Sequence, residues 1–586
     1  MNKKNISKRG VALLAAVLVF VASLILLQAT LTSGFKVETR SVNLYTDEGV
    51  NLSATLFVPQ NATTATPAAG IVAAPGGNTP HTFYASYCIE LSRRGYVVLA
   101  YDYYGTGSSD FSNDGGSGAV AAMKYLTSLS FVDGDRLGAS GHSNGGAQAA
   151  AAITSEYAAG AACRSVLFIG CGIAGEDLSV YDGVNVGAVW GKLDEAGQGT
   201  FWDVYHQDKL NFSSFATMVG ETNDTVQTAH WYADPTTGAA RIVYTPNTFH
   251  SLSNIMPGSV TNILTYFDTT LEGNISGLSP ASHIYLWQEL AVLLMAVSLC
   301  IMIFPAGSFL LELPFFASLK RPLAPAKAKA NGLFWFFLLV PAVLQALIVK
   351  STIIQGQEIM GKLPNLFKVQ STNGFVWWFF LSALIALAFF AVRMLVDKTI
   401  DRGAALSRMK TTPADLFKAL LFGAATMAVP YLFALLGSGL TGGWYGRIFQ
   451  TYMAPVSANR VSMIPVYTVL FGVLFAVYAW LQADAFRFEK GGSKKTYLLT
   501  LVANALPALL FVAYIFGRLL LTHVTPIAGR EMSRANGAMM GMLLLYFVIA
   551  KVVTYFYKKT GNIYVCAMVN TLFVVWLSIN IQQLMV

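Results

Sequence analysis

From about residue 284 onward the chain runs in long apolar stretches separated by short connections. A helix needs about 20 mainly apolar residues to cross the hydrocarbon core of a bilayer, because backbone polar groups there must be satisfied within the segment. Eight such stretches lie near 284–305, 332–350, 375–396, 414–436, 461–482, 497–521, 537–556 and 563–583. A ninth runs from Val11 to about Leu31, behind a leader carrying Lys3, Lys4, Lys8 and Arg9. The apolar core of a cleaved leader spans roughly 7–15 residues, so this longer one is expected to stay as a signal-anchor. Among the 586 residues 54% are hydrophobic and 12% charged, which excludes a disordered chain, a collagen-like fibre and a single water-soluble globule.

The net charge of +8 conceals an opposition. Residues 33–283 hold 10 Lys and Arg against 22 Asp and Glu, whereas residues 284–586 hold 25 against 9. An acidic middle region repels a phosphate backbone, and the basic excess sits among apolar stretches, where it orients spans rather than binding nucleic acid. With the N-terminus inside, alternate connections must face the cytoplasm. These carry Lys320, Arg321, Lys327 and Lys329; Lys398, Arg402, Arg408 and Lys410; Arg487, Lys490, Lys494 and Lys495; and Lys558 and Lys559. The pattern predicts a cell-membrane protein with residues 1–32 as anchor, 33–283 as an extracytoplasmic domain and 284–586 as an eight-span domain.

The middle region reads differently. Short apolar runs (VNLSATLFV, AGIVAAP, YVVLAYD, RLGASGHS, RSVLFIG, NVGAVWG, ARIVYTP) alternate with helical patterns such as TFYASYCIELSRRG and GAVAAMKYLTSL. Such alternation predicts an α/β domain, a mainly parallel sheet with helices on both faces. Gly141-His142-Ser143-Asn144-Gly145 is a G-x-S-x-G with an apolar strand before it and an alanine-rich helix after it. That setting holds a nucleophilic serine on a strained turn, where the helix N-terminus stabilises developing negative charge.

With this motif the region resembles the α/β-hydrolase fold over about 250 residues. Pro75-Gly76-Gly77-Asn78 comes after the third strand, where many members have His-Gly, Pro75 replacing the histidine. Tyr101-Asp102-Tyr103-Tyr104-Gly105-Thr106-Gly107-Ser108 is similar to the family's Asp-x-x-Gly-x-Gly-x-Ser turn. Thr248-Phe249-His250-Ser251 stands where the family places its base. The resemblance implies that His250 activates Ser143 and that backbone N–H groups of Asn144 and of Gly77 or Asn78 hold the oxyanion. Two acids are candidates for the third member. Asp194 follows the β-branched, uncharged run NVGAVWG, whereas Asp224 follows KLNFSSFATMVG, which reads equally well as a helix. Strand context favours Asp194, with Asp224 as the alternative.

The stretch 196–239 holds Phe201, Trp202, Tyr205, Trp231 and Tyr232, which either wall the pocket or pack beneath it. The five cysteines show no metal-ligand spacing or disulfide framework, and no metal or other cofactor is expected. Near the end, Thr560-Gly561-Asn562-Ile563-Tyr564 faintly resembles CAAX-type intramembrane peptidases. Gln482-Ala483-Asp484-Ala485-Phe486-Arg487 lacks that family's glutamates, and Asn570 stands where it has a histidine. Two function classes follow. One is a membrane-anchored serine hydrolase acting through an acyl-enzyme on a small acyl, lipid or peptide substrate. The other is a transporter or membrane scaffold with an accessory hydrolase-like domain.

Overall fold

The apolar runs of the middle region pair into one eight-stranded sheet. Its strands are β1 (Val37–Tyr45), β2 (Asn51–Pro59), β3 (Ala68–Ala74), β4 (Val97–Tyr101), β5 (Val132–His142), β6 (Cys163–Ile169), β7 (Asn185–Val189) and β8 (Arg241–Tyr244). The order is β1-β2-β4-β3-β5-β6-β7-β8. β1 and β2 are antiparallel, as are β2 and β4, and every other pair is parallel. Helices α2 (Ala85–Arg94), α3 (Ser117–Thr127), α4 (Gly145–Thr154) and α5 (Pro257–Thr270) cover it, α1 (Lys8–Leu31) preceding them in the chain. This is the α/β-hydrolase fold. All seven expected strands are present, and β1 is the addition: its alternation of charged Glu38 and Arg40 with small residues suits an edge strand with one wet face.

This computed structural model describes residues 8–113, 117–155, 163–173, 178–196, 205–206, 209–210, 213–222, 224–323, 331–398, 400–483, 487, 492–522 and 530–585. Beyond the sheet, the described residues form α6 (Tyr285–Leu310), α7 (Gly332–Leu347), α8 (Val349–Gly361), α9 (Gln370–Val396), α10 (Pro413–Leu440), α11 (Ile464–Ala483), α12 (Gly492–Thr522), α13 (Arg530–Thr560) and α14 (Ile563–Ile579). Among the described residues seven helices, α1 included, are long and apolar enough to cross a membrane, or eight if α7 and α8, bent by 56°, form one span. The ninth expected span, α14, has 17 residues. At about 1.5 Å per residue it falls short of a 30 Å core. It is buried along most of its length and acts as the core helix of the bundle.

The basic connections gather at one end of the bundle. The Arg321 backbone N–H donates to the Thr560 carbonyl (2.6 Å) and its guanidinium to the Lys410 carbonyl (2.8 Å). Asn562 Nδ2 donates to the Leu319 carbonyl, and the Tyr564 hydroxyl to the Met409 carbonyl. The sheet sits at the other end of α10, α11 and α14. There a hairpin, β9 (Gly446–Ile448) and β10 (Thr451–Met453), lies against it. Arg447 joins Glu289 by a salt bridge of 2.5 Å and lays its guanidinium over the Phe83 ring. Arg460 is fully buried and donates to the carbonyls of Gly105 (2.6 Å), Gly107 (3.0 Å), Ile579 (2.9 Å) and Gln582 (2.6 Å). One hydrophobic core runs through both halves, joining Phe57, Tyr84 and Val98 to Trp444, Met453 and the bundle.

Two polar residues predicted deep in the spans tie neighbouring helices together. Asn504 and Gln482 exchange hydrogen bonds between α12 and α11, and Asn570 Nδ2 donates to the Ile549 carbonyl of α13. Both are interhelical ties of the kind that hold apolar helices together.

Candidate active site

β5 ends in His142 and α4 begins at Gly145, so the chain must reverse over two residues. Ser143 takes the turn at φ +54°, a left-handed conformation that costs a non-glycine residue energy and persists only where its surroundings enforce it. Its N–H donates to the Ile169 carbonyl at the end of β6 (3.0 Å). The flanking glycines are required by space. A Cβ at Gly141 would lie 2.1 Å from the Gly145 carbonyl oxygen, and one at Gly145 would lie 2.5 Å from the carbonyl oxygen of Ala74.

His250 lies in the turn after β8, and Asp194 in the turn after the neighbouring β7. His250 Nδ1 is 2.9 Å from Asp194 Oδ2, and both residues are buried. Asp194 Oδ1 accepts from the Ala196 N–H (3.0 Å), which fixes the carboxylate. Burial by itself would lower the His250 pKa. The charge and hydrogen bond of Asp194, with the charge of Glu195, outweigh it and raise the pKa above the ordinary imidazole value. Asp224 lies in an exposed turn.

Glu195 is the site residue that motif reading left without a role. Its carboxylate accepts from the backbone N–H groups of His250 (2.7 Å) and Ser251 (3.2 Å) and from Ser251 Oγ (2.8 Å). Burial raises its pKa, against the pull of His250. The adjacent acids Asp194 and Glu195 thus grip the ring and the backbone of the same histidine. Their adjacency in sequence was the available signal. His142 packs its ring 4.8 Å from that of His250, and burial holds its pKa well below the usual imidazole value.

Gly77, Asn78 and Asn144 converge beside Ser143. A Cβ at Gly77 would come within 2.5 Å of Asn144 Nδ2, so the loop after β3 and the elbow are in contact. Among the described residues, the backbone N–H groups of Gly77, Asn78 and Asn144 meet no acceptor in the protein, while that of Gly76 donates to the Tyr84 hydroxyl. Asn78 also holds a left-handed φ of +61°. Its side chain is bonded on both sides to the segment after α14: Oδ1 accepts from the Gln583 N–H, and Nδ2 donates to Gln582 Oε1.

Gly77, Asn78, Ser143, Asn144, Glu195 and His250 line one cavity of about 280 Å³. Much of its remaining wall comes from the helical half, including Ile353, Gln357, Phe375, Met540, Leu545 and Leu577. Of the aromatic residues of 196–239, Trp231 stacks on Tyr266 and Tyr232 packs edge-on against Phe215, so both serve the core. Phe201, Trp202 and the Tyr205 side chain lie outside the described residues.

Residues 83–168 match the Peptidase_S9 model, the prolyl oligopeptidase family. No curated protein sequence matches the chain. Among solved structures it is similar to hypothetical protein PA2218 from Pseudomonas aeruginosa, at 15% identity over 40% of this chain and 94% of that one (TM-score 0.28). It is also similar to the esterase Pf2001 of Pyrococcus furiosus, at 14% identity over 41% and 96% (TM-score 0.29). A third is the glucuronoyl esterase from Solibacter usitatus, at 13% identity over 40% and 82% (TM-score 0.29). The sheet order, the serine elbow and the family match together make this half a serine hydrolase of the α/β-hydrolase type.

Proposed function

We propose that the chain is a membrane-anchored, extracytoplasmic serine hydrolase that cleaves a carboxylic ester or peptide bond with Ser143, His250 and Asp194. The observation that carries this reading is the buried 2.9 Å contact of His250 Nδ1 with Asp194, on turns flanking a serine elbow. In the reaction His250 Nε2 takes the Ser143 Oγ proton as the oxygen attacks the acyl carbonyl. The N–H groups of Asn144 and of Gly77 or Asn78 stabilise the tetrahedral oxyanion, aided by the N-terminus of α4. His250 then passes its proton to the leaving group, and the acyl-enzyme is hydrolysed by water activated by the same histidine. Asp194 holds the imidazole in the required tautomer and stabilises the imidazolium.

The location rests on the distribution of charge. The connections of Arg321, Lys410 and Thr560 meet at the bundle end opposite the sheet. With the positively charged end inside, the hydrolase lies outside, and α1 serves as its uncleaved anchor. A membrane-impermeant fluorophosphonate applied to intact cells tests location and activity together. It is expected to label the wild-type chain and not the Ser143→Ala variant. Labelling only after lysis overturns the orientation, and absence of labelling in the lysate overturns the activity.

A further inference from the structure

The cavity at Ser143 is closed on one side by helices that are apolar enough to lie in a bilayer. From α13 it takes residues between Gly537 and Leu545, a rise of about 12 Å along a helix. Met539–Thr560 of that helix is itself apolar enough to cross a membrane. Leu577 of α14, Ile353 of α8 and Phe375 of α9 complete an apolar wall. The helical half also lends the cavity uncharged polar groups: Gln357, Gln370, Thr372, Gln450 and Gln582 contribute amides and a hydroxyl, Gln582 bonding to Asn78 beside the serine elbow. Among the described residues no Lys or Arg lines the cavity, and its titratable groups are Glu195, His142, His250 and Tyr452.

This arrangement selects a substrate class. A buried carboxylate without a facing cation disfavours a phosphate or free carboxylate beside the scissile bond. Amide side chains satisfy the oxygens of a neutral polar head. At about 280 Å³ the cavity is near the small end of ligand sites, enough for a reacting group and part of one chain but not for a folded partner. Resting on the serine-hydrolase reading, we infer that the substrate is a neutral ester with a long apolar chain. The ester sits at Ser143, and the chain runs among α8, α9, α13 and α14. The helical half is then part of the binding site as well as a tether.

The test uses the full chain in lipid nanodiscs, with 4-nitrophenyl alkanoates from acetate to decanoate at monomeric concentrations. A parallel series of acetates of increasingly long alcohols covers the other side of the ester. Each buried methylene adds up to about three- to fourfold in binding. The expected result is that kcat/KM climbs at least about tenfold along one of the two series. Leu545→Trp, which fills the apolar wall, is expected to lower the long-to-short ratio about tenfold or more. Leu544→Trp, on the exposed neighbour, should leave that ratio as in wild type. Labelling of Ser143 by a short-chain fluorophosphonate certifies that each variant is folded, and Leu545→Phe stands in if the tryptophan variant fails that check. A flat or falling chain-length profile, or preferred turnover of a peptide nitroanilide, overturns this inference while leaving the hydrolase standing. Absence of any labelling at Ser143 overturns the hydrolase reading instead.

Discussion

Among the described residues the hydrolase half contains two buried histidine–aspartate pairs, and they occupy different regions. His250 Nδ1 lies 2.9 Å from Asp194 at the ends of β7 and β8, with the histidine lining the cavity that also holds Ser143. His81 Nδ1 lies 2.6 Å from Asp102, at the seam with the bundle. There Asp102 also accepts from the His81 backbone N–H, His81 Nε2 meets Thr55 Oγ1 at 2.9 Å, and the ring sits edge-on to Trp444. The side chains and the Nδ1 contact are alike. What differs is the setting: His250 lines the cavity that holds Ser143, whereas His81 does not line it and its Nε2 meets a threonine. A buried His–Asp contact therefore does not by itself identify a base; the serine elbow and the cavity that His250 shares with Ser143 set the two pairs apart. The His81 pair instead fixes the Asp102–Gly107 turn, whose carbonyls Arg460 holds from the bundle.

The largest effect that could break this contrast lies at the serine. Ser143→Ala is expected to cut turnover by about 10⁶-fold, and adding His250→Ala should cost little more, because the two act as a unit. Steady-state hydrolysis of a short aryl ester by single and double variants reads this directly, and additive losses would remove His250 from the mechanism.

Next comes the direct contest between the two acids. Asp194→Asn is expected to lower kcat by about 10⁴ while the chain stays folded, since the amide favours the wrong tautomer. Asp102→Asn should keep turnover within about tenfold and instead lower stability by about 2 kcal/mol, the worth of a hydrogen bond to a charged group. Paired kinetics and thermal melting in detergent separate them, and a reversed pattern would assign the base to His81. The pH profile sharpens the same point. Asp194 and Glu195 raise the His250 pKa despite burial, so kcat/KM should fall on acidification with its midpoint above the ordinary value of about 6.5. In Asp194→Asn the residual activity should lose its acid limb at lower pH than wild type.

A smaller effect is expected from the seam. Arg460→Met leaves four carbonyls without their donor, so the melting temperature should fall by the equivalent of about 3 kcal/mol or more. An unchanged melting curve would mean that the halves are not coupled there. Smallest is Asp224→Asn: on an exposed turn it should change kcat/KM by no more than about twofold.

How much was legible depended on how local the signal was. Seven strands could be read because each is a short apolar run between turn residues, and β1 escaped because its charged, alternating sequence reads as surface. Ser143 could be read from the strand–turn–helix setting of its glycines. The helical stretches were legible by length, but the break between α7 and α8 and the shortness of α14 were not, since an apolar run looks alike whether it spans or packs inside a bundle. Glu195 carries no motif: its function lies in a grip on the backbone of residues more than fifty positions away.

By itself the sequence determined the division into an acidic α/β region and a basic apolar region. It also determined the elbow at Ser143 and the phase of the basic connections. Each of these follows from hydrophobic periodicity, turn chemistry or charge counted over a short window. Tertiary structure alone decided that Asp194 rather than Asp224 meets His250, and that the second His–Asp pair is part of a seam. It alone decided, too, that helices far along the chain close the cavity. Gln357, Phe375, Gln450, Leu545 and Gln582 belong to separate elements and share no spacing. They become neighbours only when the bundle packs, and nothing in a local window encodes which helix faces meet.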